Sequence, residues 1–137
     1  MASKWNGKTC PLCFEGTLKD GKQKQSLEYR GRSYEYTAKG AFCNHCHDGF
    51  PEHDAREEAA WVAFRDSVDA EEIAELARIR KKLKLTQQEA AKLAGGGKNA
   101  FSRYERGQAK PVAAVLNLFR LLDKHPQLLK ELRAESV

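Results

Sequence analysis

The sequence predicts an α+β first half, a small antiparallel sheet plus a helix, followed by an all-α second half built on a helix-turn-helix. Three observations predict this division. All four cysteines fall in the first half, as Cys10-Pro-Leu-Cys13 and Cys43-Asn-His-Cys46 separated by 29 residues. The segment between them has strand character, whereas residues 70–137 read as nearly all helix. The charge is also divided: residues 1–68 carry 10 basic and 10 acidic side chains, residues 69–137 carry 14 and 9, so the whole +5 belongs to the second half. The expected domains are therefore 1–68 and 69–137.

The bulk composition narrows the class further. At 137 residues the chain holds one domain or two small ones. With 41% hydrophobic and 31% charged residues it reads as soluble and foldable, not as disordered or membrane-spanning. No run approaches the roughly 18 apolar residues of a spanning helix, and Met1 to Lys8 lacks a signal-like apolar stretch. A cytoplasmic location is expected, where thiols stay reduced, and a secreted disulfide scaffold is not.

Two CxxC pairs point to a metal. Each pair sets two sulfurs on one tight turn, and two turns complete a tetrahedron around Zn²⁺. Cys10, Cys13, Cys43 and Cys46 are the expected ligands of one structural zinc per chain. A redox or disulfide CxxC is the competing reading, but it would normally open a helix in a βαβ setting. His45 and His47 are alternative ligands or solvated surface residues. Four thiolates leave no open position for water, which argues against catalytic zinc. Strands are expected within Thr17–Tyr29 and Arg32–Phe42, with breaks at Gly21 and Gly31. About 50 residues bury little core, so a metal staple is physically reasonable.

A helix is expected to start within Pro51–Asp54, on a proline followed by acidic residues. Ala59, Ala60, Trp61, Ala63, Phe64 and Val68 would form its apolar face, and it would end near Ser67–Asp69. Trp61 and Phe64 read most simply as core. Arg65 is either solvated or a phosphate contact. Asp69 could cap a new helix from Ala70, making this the domain junction and a short hinge.

That next helix carries Ile73, Leu76, Ala77, Ile79, Arg80 and Leu83 on one face and ends around Lys84. Thr86-Gln87-Gln88-Glu89 forms a capping box, opening a short helix from Gln87 to Leu93. Gly95-Gly96-Gly97 then permits a tight turn into a second short helix, about Lys98 to Arg106, stopped by Gly107. Helix, glycine turn and helix make the DNA-reading unit. Phe101 and Tyr104 would face the core, while Asn99, Ser102, Arg103 and Arg106 share the other face. Asn99 and Arg103 are the candidate base readers, since Asn pairs bidentately with adenine and Arg with guanine. Arg65, Gln87, Lys98 and Ser102 are candidate backbone contacts. The alternative is a solvated face. Lys81, Lys82 and Lys84 could add non-specific attraction. Pro111 would start a leucine-rich helix through Leu122, broken at His125-Pro126, with a last turn or two from Gln127 to Leu132. Its leucines suit either a two-fold dimer interface or core packing alone.

These residues resemble the MqsA-type antitoxins of bacterial type II toxin–antitoxin systems. The resemblance rests on CPLC, Tyr29-Arg30-Gly31-Arg32, CNHC, Ala63-Phe64-Arg65, Arg80-Lys81-Lys82-Leu83, Leu85-Thr86-Gln87, the block from Gly95 to Glu105, and Leu122-Asp123-Lys124-His125-Pro126. It implies an N-terminal zinc domain that binds an MqsR-like mRNA-cleaving ribonuclease toxin. It also implies an XRE/Cro-like helix-turn-helix domain that forms a homodimer and represses its own operon at a palindrome on double-stranded DNA. The family's base-reading Asn and Arg fall at Asn99 and Arg103, and its zinc ligands at the four cysteines. Met1 to Lys8 is an extension beyond the family pattern, and Lys19 to Leu27 looks little like it. Toxin-contacting surfaces are expected in that sheet. The alternatives from residues alone are a helix-turn-helix regulator with no cognate toxin and a thiol oxidoreductase. No Ser-His-Asp, paired-carboxylate or phosphate-loop pattern points to an enzyme.

Overall fold

The two cysteine pairs bracket a long hairpin. Strands β1 (Leu18–Tyr29) and β2 (Arg32–Cys43) pair antiparallel from Leu18↔Cys43 to Tyr29↔Arg32. Arg30 and Gly31 form the two-residue turn, with φ of 50° and 82°. Positive φ at both central positions matches the twist of the flanking strands. The expected break at Gly21 does not occur, because Gly21 keeps its place in the ladder opposite Gly40. A short third strand, β3 (Gly49–Pro51), pairs with β2 from Gly40↔Pro51 to Phe42↔Gly49 and was not foreseen. The computed structural model describes residues 2–135. Met1 of the N-terminal extension and residues 136–137 of the second half lie outside the described residues.

Pro51 thus ends a strand and does not start the helix. Helix α1 (Ala55–Lys82) begins four residues later, with the Asp54 carboxylate accepting from the Arg56 amide at 2.9 Å. Glu57 and Glu58 in its first turn suit the positive end of the helix dipole. The expected stop near Ser67–Asp69 is also corrected. No glycine or proline interrupts residues 55–82, so nothing breaks the backbone ladder. Val68 is buried, and Asp69 pairs with Lys110 at 3.0 Å in place of capping a new helix. Ala59, Ala60 and Ala63 are exposed, the expected core residues Trp61 and Phe64 are only half-buried, and Val68 alone of that face is buried.

The chain divides into two units, Met1–Arg65 and Asp66–Val137, at a point inside α1. The core of the first unit is small: Cys10, Leu18, Ala41 and Cys43, with Trp5 and Phe50 packed on them. Trp5 stacks on Phe50 at 4.3 Å, which fastens the N-terminal extension to the sheet.

In the second unit the C-terminal part of α1 packs with α2 (Gln87–Leu93), α3 (Ala100–Glu105), α4 (Ala113–Lys124), a 3-10 turn (Pro126–Leu128) and α5 (Leu129–Glu135). Leu76, Ile79, Phe101, Leu116, Phe119 and Leu122 form its fully buried centre. Helix α4 starts at Ala113, two residues after the expected Pro111, with Val112 at its N-cap. Arg120 of α4 reaches Glu75 at 2.7 Å, and Asp123 takes Lys82 at 2.7 Å and Arg78 at 3.1 Å.

The last cluster makes a pH prediction. Arg78 and Lys82 hold the Asp123 carboxyl down from 3.8 to about 2. A carboxylate depressed on folding contributes stability that is present above its unfolded pKa and lost as pH falls through the folded one. The gap in thermal midpoint between the wild type and Asp123→Asn, followed by far-UV circular dichroism, should be full at pH 5 and close as pH approaches 2. A gap that stays constant over that range would contradict the ion-pair account.

Candidate metal centre and nucleic-acid interface

The hairpin register sets Leu18, just after the first cysteine pair, opposite Cys43, the start of the second. Asn44 adds a local clamp: its side-chain oxygen accepts from the Thr17 amide at 3.0 Å, and its own amide donates to the Thr17 carbonyl at 3.2 Å. The four sulfurs consequently lie within 4.8 Å of one another. Cys10 and Cys46 are 3.8 Å apart, and Cys13 and Cys43 are 3.7 Å apart. A tetrahedral shell with metal–sulfur bonds of about 2.3 Å has sulfur–sulfur edges of about 3.8 Å. Donor set and spacing both fit a tetrahedral ion.

Backbone amides tune the sulfurs. Leu12 donates to Cys10 at 3.4 Å; His45 and Cys46 donate to Cys43 at 3.3 and 3.4 Å. Amides of Glu15 and Gly16 pull the Cys13 thiol from 9.0 down to about 6. Burial opposes ionisation of Cys43, but the Cys46 and His45 amides bring it below its ordinary value. Cys46 is pushed up to about 12: the Asp48 amide lowers it, yet burial and the neighbouring Cys43, Cys10 and Cys13 outweigh that bond. Cys13 and Cys43 are thus eased toward the thiolate while Cys46 is held back from it, because like charges crowd one small volume. A divalent cation removes that conflict, so the cysteine set could hold a metal ion.

Three features of this centre were not legible from spacing. Gly16 lies against the cluster, where an added Cβ would run into the Cys43 sulfur. Phe14 and His47, each directly after a second cysteine, have φ of 62° and 64°, so both knuckles close through a left-handed residue. His45 pairs with Glu15 at 2.7 Å, and neither His45 nor His47 belongs to the sulfur group.

In the second unit the capping box forms as expected. The Thr86 hydroxyl accepts from the Glu89 amide at 3.1 Å, and the Glu89 carboxylate accepts from the Thr86 amide at 3.0 Å. These bonds hold the Glu89 carboxyl below the usual range. Gly95, with φ of 78°, carries the chain out of α2. Helix α3 is shorter than the expected Lys98 to Arg106. Asn99 occupies its N-cap and Arg106 its C-cap. Phe101 is fully buried, and Tyr104 packs on its ring at 5.5 Å.

The opposite side of α3 carries the candidate readers. Asn99 makes no side-chain capping bond and is exposed, and Arg103 one turn on is exposed as well. Their backbones are joined by the Arg103 amide and Asn99 carbonyl at 3.0 Å. Lys98 is exposed beside them, and Ser102 and Gln87 are half-buried. Arg106 differs, since its Nε folds back onto the Ser102 carbonyl at 3.2 Å. Lys82 of the basic run is engaged with Asp123, whereas Lys81 and Lys84 are exposed. Arg65 lies in the first unit, with its guanidinium 5.6 Å from the Trp61 ring centre.

One contact missed by sequence reading fixes this arrangement. Arg80 forks onto Glu105 at 2.8 and 2.9 Å and donates to the Leu85 carbonyl at 2.8 Å. It ties the end of α3 and the start of the α2 segment to α1.

Two comparisons with known proteins cover most of the chain. The family model described as the antitoxin component of bacterial toxin–antitoxin systems, MqsA, covers residues 8–133. The chain is 42% identical over 129 residues to Antitoxin MqsA of Escherichia coli (strain K12), covering 90% of this chain and 98% of that protein. Matched over most of its length by that family model and that relative, the chain belongs to the MqsA family of antitoxin components.

Proposed function

We propose that this antitoxin works through two partners. Its first unit, held by one structural Zn²⁺ on Cys10, Cys13, Cys43 and Cys46, binds an MqsR-like mRNA-cleaving toxin. Its second unit binds double-stranded DNA at a palindrome and represses its own operon. The protein acts as a regulator in the cytoplasm and not as an enzyme. The described residues contain no helix long and apolar enough to cross a membrane.

The observation that carries the DNA reading is the pair Asn99 and Arg103. Two side chains with base-reading chemistry stand exposed one turn apart at the start of α3. Lys98, Ser102, Gln87 and, more distantly in sequence, Arg65 are assigned to the phosphate backbone. A homodimer is supported by the apolar surface left over on the helical unit. Leu121, 51% exposed, lines a cleft of about 380 Å³ with Leu118, Leu122, Leu128, Leu132 and Glu131. A two-fold dimer reading two half-sites would use such a face.

Operator titrations test the assignment. Arg103→Ala should cost about 1–3 kcal/mol, concentrated at one base pair of each half-site. Uniform weakening across all operator variants would make Arg103 a phosphate contact instead.

A further inference from the structure

The aromatic side chains of the first unit are grouped beyond what its core uses. Tyr34 and Tyr36 stand two apart on β2, with ring centres 6.0 Å apart, and Trp61 of α1 lies 5.6 Å from Tyr34. All three remain half-exposed. They line a cleft of about 230 Å³ together with Leu27, itself 38% exposed. The rest of the lining comes from residues 52–58, which carry Glu52, Asp54, Glu57 and Glu58. Four of the ten acidic residues in the first 68 therefore fall within seven positions, and all four edge the same cleft. Arg56 of that run is not among the lining residues. His53 is, and it pairs with Glu58 at 3.6 Å. The Tyr34 hydroxyl donates to Glu57 at 3.3 Å, which holds one carboxylate at the aromatic edge.

Aromatic faces rimmed by carboxylates match a guanidinium. The planar cation stacks on a ring while its N–H groups fork onto carboxylate oxygens. A nucleic acid is the wrong occupant, since four carboxylates repel phosphate. A protein that cleaves RNA presents cations to bind its substrate. We infer that this cleft docks an arginine side chain of the toxin and is the centre of the toxin-facing surface. The inference rests on the reading that the first unit binds the toxin, and it moves the contact from the sheet alone to the aromatic face shared by β2 and the first turns of α1.

The test uses full-length, metal-loaded protein and the purified product of the neighbouring toxin gene. Trp61→Ala should weaken toxin binding about 30-fold, as expected for a central aromatic anchor. A shape-preserving triple variant, Glu52→Gln with Glu57→Gln and Glu58→Gln, should weaken it about tenfold at low salt and flatten its salt dependence. Metal content should stay at the wild-type value in the triple variant, which keeps every aromatic ring and so decides the question even where Trp61→Ala does not fold. If wild-type protein binds the toxin and the triple variant binds equally at every salt concentration, the cleft is not the site and the toxin-binding reading stands. If the wild type itself does not bind, both fall together.

Discussion

Stripping the proposed zinc from the full chain should unfold the first unit while the second keeps the proposed affinity for operator DNA. The first unit has little else to hold it. Its buried hydrophobic residues are Cys10, Leu18, Ala38, Ala41, Phe42 and Cys43, and two of those six are proposed ligands. Hydrophobic burial on that scale does not offset the ordering of some 60 residues. Structural zinc supplies roughly 10–16 kcal/mol of apparent binding energy at neutral pH, and that energy exists only in the folded state. Removing it also restores the conflict among the thiols, where Cys13 ionises near 6 and Cys46 resists to about 12. Cys46 is exposed, which gives a chelator a way in. The readouts separate cleanly. Both tryptophans, Trp5 and Trp61, belong to the first unit, so tryptophan fluorescence reports its unfolding alone. Operator binding, followed by anisotropy of labelled DNA, reports the second. The core of that unit, around Leu76, Phe101 and Phe119, includes no residue of the first. Unchanged fluorescence after complete chelation would sink the staple argument. Parallel loss of fluorescence signal and DNA binding would sink the independence of the units.

The contrast between what was and was not legible follows the range of each interaction. The CxxC spacing and the Thr86–Glu89 capping box are local patterns, each closed within four residues, and the structure forms both. Asp69 before an alanine can cap a helix, which predicts a division that α1 does not have. That local preference lost to Lys110, 41 positions away, and to burial of the adjacent Val68. Propensity alone makes Gly21 a strand breaker, yet a paired ladder on β2 carries the strand through it. Strand β3 is three residues long and has no periodicity to detect. Asn99 is expected within the second short helix, whereas it occupies the N-cap position of α3, one residue before the helix begins. Gly16 carries no ligand atom, so only the assembled cluster reveals why a side chain there does not fit. Spacing places Arg80 with Ile73, Leu76, Ile79 and Leu83 on one amphipathic helix. Its partner Glu105 is 25 residues on, and no pattern in a single sequence connects them.

That unforeseen pair carries the second large prediction. Arg80→Ala should destabilise the helical unit by about 3 kcal/mol, a substantial share of the roughly 5–15 kcal/mol that holds a typical domain. The side chains of Arg80 and Glu105 are only 13% and 14% exposed, so solvent screens the pair weakly. Truncating the arginine leaves the Glu105 carboxylate without its fork and the Leu85 carbonyl without its donor. Leaving a mostly buried charge unpaired costs more than the pair itself is worth. A domain of about 70 residues should then melt roughly 10–20 °C lower by far-UV circular dichroism. Arg80→Lys keeps the charge but cannot fork, so it should recover only part of the loss. Replacing both partners by apolar residues, Arg80→Met with Glu105→Leu, should cost less than either truncation alone. Additive losses in that cycle would show that the two residues act separately. DNA binding adds a further readout, because Glu105 ends the same six-residue helix that starts beside Asn99 and carries Arg103. Freed at its C-terminal end, α3 should present those two side chains in many orientations. Operator affinity in Arg80→Ala should therefore fall at temperatures where the unit is still folded, and a folded variant with wild-type affinity would show that α3 needs no such pin.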